Sequence, residues 1–508
     1  MKLHFYPYSL ARLRLIVLVL LFPILGLASL SAQKRPPGNA PGPVAALSLI
    51  LGRPTDRSIT LSVVSASEIE TCVEYGPAAG PMQKTTPVIA RPNWPLEIEL
   101  TALKTDTAYQ YRLLSRSPGR GEFKPEPTAV FHTRRAPGQT FTFALQGDSH
   151  PEREGKMFAP DLYTRTLQNV AADAPDFYLM MGDDFSIERL IQKQTLSPAT
   201  VDQVYARQRG FVGLVGRAAP LFLVNGNHEQ AARSNLDGTP ENCAILAGLA
   251  RTRFFPLPAP DAFYSGNSEP VEHLGLPRDY YAWTWGDALF VVIDPYWHSA
   301  VTVDNEAGKQ HGEEKGKSKD GKARDLWGVT LGDTQYRWLT ETLTKSRARW
   351  KFVFSHHVLG TGRGGIEQAG FYEWGGQDRS GREAFAAKRP GWPLPIHDLF
   401  VKSGVTIFFQ GHDHIYARQE LDGVTYQSCP NPADPTYQAF NREAYRSGDI
   451  FPNSGHLRVT VAPESVRVDY IGSRLPADTA STGVANATLI HSYTLPARTP
   501  TTPKPLHP

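Results

Sequence analysis

Two hydrophobic rhythms divide the chain. From residue 43 to about 135, short β-branched or alternating runs are separated by turn residues: Val44–Leu51, Ser58–Val64, Cys72–Tyr75, Leu96–Leu100, Tyr109–Leu114 and Ala129–Thr133. A period of two places alternate side chains on one face, so this stretch predicts a small all-β sandwich over residues 41–136. After Ala136-Pro-Gly138 the apolar runs stop at polar clusters and alternate with helical segments such as Asp161–Ala172 and Thr334–Ser346. A further helix ends near Ser403, with Gly404 as its C′ residue, and leads into the run Val405–Gln410. The expected fold for residues 138–496 is therefore α/β (α+β), with layered β-sheets flanked by helices. Chemistry would gather at the carboxyl ends of the strands, where open α/β sheets bind ligands. The runs Leu457–Val461 and Val466–Ile471 predict a hairpin across Ala462-Pro-Glu-Ser465, and Thr488–Leu495 a last strand. Residues 497–508 read as a disordered tail.

Two insertions interrupt the alternation. Val303–Arg324 is charged, dotted with glycine and without periodicity, as a solvated loop is. Gly360–Trp392 is rich in glycine and aromatics and carries Arg363, Arg379, Arg382, Lys388 and Arg389. It leaves directly from a histidine cluster, so it is either a substrate-covering loop or a surface excursion.

Composition changes this picture little. A chain of 508 residues with 41% hydrophobic content has ample material for more than one core. Its 53 basic and 50 acidic residues are well mixed, giving a net charge of +3 and no basic block that would track nucleic acid. Residues 1–32 have the pattern of an export signal: Lys2, Arg12 and Arg14 precede the apolar run Leu15–Leu27, and small residues follow to Ser31-Ala32. A secreted or periplasmic protein is expected, with an uncleaved anchor as the alternative and no transmembrane segment after cleavage. Cys72, Cys243 and Cys429 allow at most one disulfide and have no Cys-x-x-Cys spacing, so three small buried residues are expected rather than a thiolate metal site.

The candidate chemistry lies where the strands stop. Phe141–Gln146 runs into Gly147-Asp-Ser-His150, Phe177–Met181 into Gly182-Asp-Asp184, and Pro220–Val224 into Asn225-Gly-Asn-His-Glu229. Trp350–Phe354 runs into Ser355-His-His357, and Val405–Gln410 into Gly411-His-Asp-His414. In an extended chain, i and i+2 point the same way, so His412 and His414 should leave the strand side by side. These ends supply Asp148, His150, Asp183, Asn227, His228, His356, His412 and His414, all oxygen or nitrogen donors. Such donors suit zinc, manganese or iron, and their number exceeds what one catalytic ion needs. His357 is expected either to support a neighbouring ligand or to pack, and Arg418 to make a surface salt bridge, with contact to substrate as the alternative. Glu229 and Asp413 are expected to orient their neighbours rather than bind metal.

In order and spacing these segments resemble the signature of the calcineurin-like metallophosphoesterases: Gly-Asp-x-His, Gly-Asp-x-x, Gly-Asn-His-Glu, an isolated His, then Gly-His-x-His. With the preceding sandwich, which has the Leu103, Thr107 and Tyr109 spacing of a tyrosine corner, the chain is similar to the purple acid phosphatase-like group with a fibronectin type III-like domain. The resemblance implies two metal ions drawn from iron, manganese and zinc. It assigns Asp148, His150, Asp183 and His414 to the first, and Asp183, Asn227, His356 and His412 to the second, Asp183 bridging. It makes His228 a catalytic group over the phosphate rather than a ligand, and hydroxide between the ions the nucleophile. Phe185-Ser186 stands where purple acid phosphatases place the tyrosinate ligand, and His150 where they have glycine, so imidazole replaces phenolate at the first ion. The implied activity is hydrolysis of phosphomonoesters. A phosphodiesterase acting on a cyclic nucleotide, nucleic acid or lipid headgroup is the rival, and a non-catalytic surface binding protein a third reading.

Overall fold

The structure is a computed structural model, and it describes residues 46–303, 325–359 and 363–497. The expected signal peptide (1–32), all of the Val303–Arg324 insertion but Val303 itself, and the tail beyond Ala497 lie outside the described residues.

The N-terminal strands form two antiparallel sheets. One orders Leu47–Gly52, Ile59–Ser65 and Leu96–Leu100; the other is built on Ile69–Pro77 and Ala108–Ser117. Leu51, Leu61 and Val63 from the first share one buried core with Val73, Tyr111 and Leu113 from the second. The Tyr109 hydroxyl accepts the Lys104 N–H at 2.8 Å, so the tyrosine corner forms and ties the connection down. Unlike a free-standing sandwich strand, Ile59–Ser65 is buried along its whole length. Its outer face meets the helix Pro198–Gly216, with Ile50 and Val64 packed among Val201, Tyr205 and Val212. Arg209 of that helix, fully buried, donates to the Ser62 Oγ and carbonyl at 3.1 and 3.0 Å and to the Ser48 carbonyl at 3.3 Å.

Beyond this region two larger sheets stack face to face between helices. The first contains the parallel strands Leu221–Leu223, Phe177–Met180 and Phe141–Gln146, followed by the antiparallel Gly455–Val461, Ser465–Gly472 and Thr488–Pro496. The second is centred on the parallel strands Ala288–Val292, Trp350–Phe354, Ile407–Gln410 and Val424–Ser428. Alternation assigns the faces. Phe143 and Leu145 point into the seam between the sheets with Phe290, Phe352, Phe354 and Phe409, while Ala144 points to the helix layer with Tyr163 and Leu167. On the far side, Leu289, Val291 and Phe408 pack under the helices Gly332–Lys345 and Ile396–Ser403. Edge-on ring contacts such as Phe143–Phe290 (5.2 Å) and Phe177–Phe290 (5.1 Å) lock the seam. Because the central strands of both sheets run parallel, their carboxyl ends open at one edge.

The predicted loop Gly360–Trp392, described from Arg363, is exposed over much of 379–391 but anchored on either side of that stretch. Trp374 and Trp392 are buried, and Trp374 donates its indole N–H to the Tyr426 hydroxyl at 2.9 Å. The three cysteines are free, Cys72 and Cys429 buried and Cys243 half-buried. No helix among the described residues is long and apolar enough to cross a membrane.

Candidate metal centre

The polar clusters at the five strand ends converge. Asp148, His150 and His414 form one group of donor atoms lying within 4.8 Å of one another, and Asp183, His356 and His412 form another. One oxygen faces both: Asp183 Oδ2 lies 3.7 Å from His150 Nε2 and 3.2 Å from His356 Nε2. The Asn227 side-chain oxygen Oδ1 stands 3.2 Å from His356 Nε2. All of these side chains are buried.

The local backbone corrects one expectation. His412 and His414 are not residues of an extended strand, which ends at Gln410; both have left-handed φ, 66° and 51°. The Asp413 N–H turns back to the Gly411 carbonyl at 2.7 Å, so the two imidazoles are separated by a tight turn rather than aligned by the pleat. His412 faces the Asp183 group and His414 the Asp148 group. His150 and Asp183 also have positive φ, 51° and 60°. Non-glycine residues held there mark a backbone forced into place by its surroundings. Space is equally tight: a Cβ at Gly411 would lie 2.5 Å from Asp148 Oδ1, and one at Gly182 (φ 97°) 2.6 Å from the Gly226 nitrogen.

Two carboxylates hold these turns in the orienting role expected of them. Glu229 accepts backbone N–H groups from Asp183, Asp184, Phe185 and Gly226 at 2.7–3.0 Å, gathering two strand ends on one side chain. Asp413 accepts the Gly364 N–H at 2.8 Å and the Tyr445 hydroxyl at 2.6 Å.

The donor set fits metal cations. His150 Nε2 and His414 Nε2 face each other at 3.0 Å, an arrangement that needs a proton or a cation between two lone pairs. Asp148 Oδ2 is fully buried, 3.0 Å from His414 Nε2 and 3.9 Å from the Nε2 atoms of His150 and His356, so three imidazoles converge on it. His356 donates Nδ1–H to the Met181 carbonyl at 2.7 Å, which leaves Nε2 pointing inward as a ligand's should. Burial would lower the His356 pKa, but Asp183 and Asp148 outweigh it and hold the ring protonated up to about 10. Burial likewise pushes Asp183 up, and His356 and His228 reverse it to well below the usual carboxylate range. The pocket thus demands positive charge.

His228 sits beside this cluster. Its backbone N–H binds Asp183 Oδ1 at 2.8 Å, Nδ1 lies 3.1 Å from Glu188 Oε2, and Nε2 lies 3.0 Å from Arg153 Nη2. Burial depresses its pKa, but Asp183 and Glu188 more than offset this and hold it up to about 9. Arg153 pulls the other way, since it can donate only to a neutral Nε2. His357 packs edge-on against His412 with ring centroids 5.0 Å apart, and its Nδ1 lies 3.1 Å from the Val358 carbonyl. Arg418 is not brought into the cluster. It pairs with Asp449 at 3.2 Å and lies over the Tyr493 ring.

Sequence reasoning missed several supporting residues. Glu152 binds His150 Nδ1 at 2.8 Å, Arg153 and Glu188 hold His228, and Asn453 donates to the His414 carbonyl at 2.7 Å. The first two follow His150 at once in His-Pro-Glu-Arg and could have been flagged as charges beside a motif. Nothing local marks Asn453. In place of the tyrosinate, Phe185 stacks on Tyr205 at 4.4 Å and Ser186 stays outside both donor groups.

Residues 141–416 match the family model for calcineurin-like phosphoesterases, and the chain belongs to that family. Among solved structures, PhoD superposes with a TM-score of 0.60 at 14% identity, covering 89% of this chain and 90% of that one, a likeness of fold. GAP50, described as the anchor in the inner membrane complex of Plasmodium, overlaps more loosely: TM-score 0.35, 11% identity, 71% of this chain and 90% of that one. No curated protein sequence matches.

Proposed function

We propose that the protein is an exported phosphomonoesterase that uses two metal ions, drawn from iron, manganese and zinc. The observation that supports this best is the pair of buried donor groups facing one carboxylate oxygen, Asp183 Oδ2. Asp148, His150, Asp183 and His414 would hold one ion, and Asp183, Asn227, His356 and His412 the other. Bound there, the ions would supply an activated water and positive charge for the phosphoryl oxygens.

The chain's own residues do the rest. Glu188 fixes the His228 ring through Nδ1, so Nε2 is the atom that meets substrate. Once Nε2 carries a proton, it and the Arg153 guanidinium present like charges 3.0 Å apart. An anionic oxygen between them satisfies both, and His228 can then protonate the leaving oxygen. The region 41–136 is read as a fibronectin type III-like module that buttresses the helix Pro198–Gly216. Export would rest on residues 1–32, and N-terminal sequencing of protein recovered outside the cytoplasm tests it.

The central test is metal analysis of the purified protein with hydrolysis of p-nitrophenyl phosphate against bis-p-nitrophenyl phosphate. About two ions per chain and a higher kcat/KM for the monoester are expected. A strong preference for the diester moves the assignment to the phosphodiesterase. A metal-free protein that turns over neither ester after metal supplementation leaves only a binding role.

A further inference from the structure

A cavity of about 300 Å³ opens beside His228, and Glu152, Arg153, Lys156, Ser186, Glu188 and Arg189 line it. Its charges are unevenly committed. Glu152 Oε1 is taken by His150 Nδ1 at 2.8 Å and Arg153 Nε at 3.3 Å, and Glu188 Oε2 by His228 Nδ1 at 3.1 Å. Lys156 and Arg189 are exposed and take part in no ion pair among the described residues. Ser186 adds an independent sign of a missing partner: it is only 6% exposed, yet its Oγ makes no hydrogen bond. Buried hydroxyls normally find one. The cavity therefore offers two uncommitted cations and a spare buried hydroxyl.

We propose that this cavity is the leaving-group subsite, and that it selects phosphate monoesters whose leaving group carries an anionic oxygen group of its own, a carboxylate or a second phosphate. The inference rests on the phosphomonoesterase reading above. In that reaction the bond between phosphorus and the leaving oxygen breaks, water supplies the new oxygen on phosphorus, and His228 Nε2 gives its proton to the leaving oxygen. Water's proton then restores His228. The leaving group must depart past His228, and the cavity shares Arg153 and Glu188 with that ring. An anionic substituent there meets Lys156 and Arg189 and gives Ser186 an acceptor. A neutral one leaves all three without a partner.

The test uses three aryl phosphates that differ only in the para position: hydrogen, carboxylate or a second phosphate. With the metal-loaded full chain, both anionic esters should exceed phenyl phosphate in kcat/KM by about tenfold, which is about 1.4 kcal/mol. The larger of the two preferences names the anion. The Lys156→Gln/Arg189→Gln double variant should bring the ratios down to about one. Both side chains are exposed, so the variant should fold as the wild type does, and a thermal melt checks this. Raising salt to about 0.5 M should narrow the wild-type ratio, since exposed charges are screened over a few ångströms there. An active wild type with a ratio of one, or a double variant that keeps the preference, overturns the subsite and leaves the phosphomonoesterase standing. A wild type that hydrolyses none of the three overturns both.

Discussion

His228 binds Asp183 Oδ1 through its backbone N–H, while its ring Nε2 stands 3.9 Å from Asp183 Oδ2 and 3.0 Å from Arg153, and this place at the edge of the cluster separates binding from turnover. His228→Ala should keep metal stoichiometry while lowering kcat by roughly 10²–10⁴, the range for losing a general acid. Metal analysis beside single-substrate kinetics checks both halves; loss of metal would make it a ligand. Glu229 predicts the opposite behaviour. Glu229→Gln puts an amide NH₂ or a weaker acceptor among four backbone N–H groups, and hydrogen bonds to a charged partner are worth about 1.5–3 kcal/mol each. It should lower the unfolding midpoint and weaken metal affinity together, read by thermal melts with and without metal. The donor atoms were legible in the sequence because each follows an apolar run that stops abruptly. Glu188 and Asn453 were not, because what qualifies each is a partner about forty residues away.

At the scale of elements, the turn after Ile407–Gln410 shows what the pattern could and could not say. Its apolar strand was legible, and Gly404 closes the preceding helix with φ 70° as the C′ reading requires. The positive φ of His412 and His414 was not, because it comes from Asp148 accepting the His412 N–H at 2.7 Å across 264 residues. Gly411→Ala tests that crowding. The added methyl must displace Asp148 or the turn, so bound metal should fall below two per chain and activity with it, measured by metal analysis after dialysis. The helix Pro198–Gly216 escaped the sequence reading for a different reason. Its buried face includes Gln208 and Arg209, so polar residues dilute the apolar period.

For the whole molecule, the two stacked sheets and their helices follow from alternation in the strands, which is why the layer order could be anticipated. The sandwich could not be read as more than a neighbouring module, since its attachment depends on contacts between residues far apart in the chain, one buried guanidinium among them. Arg209→Ala would remove the charged donor that reaches the Ser62 Oγ and the Ser48, Ser62 and Phe254 carbonyls, and hydrogen bonds to a charged partner are worth about 1.5–3 kcal/mol each. A loss of roughly 3 kcal/mol or more is expected in chemical unfolding, as a single transition for both regions.

That same guanidinium bears on how the chain is made. Ser62 leaves the ribosome 147 residues before Arg209. At ordinary rates of synthesis the gap is on the order of ten seconds. Through that interval the outer face of Ile59–Ser65 has no helix to cover it, and a strand so exposed is an opening for a neighbouring chain. The N-terminal region is thus complete only in the company of residues not yet translated, and its early life is one of waiting.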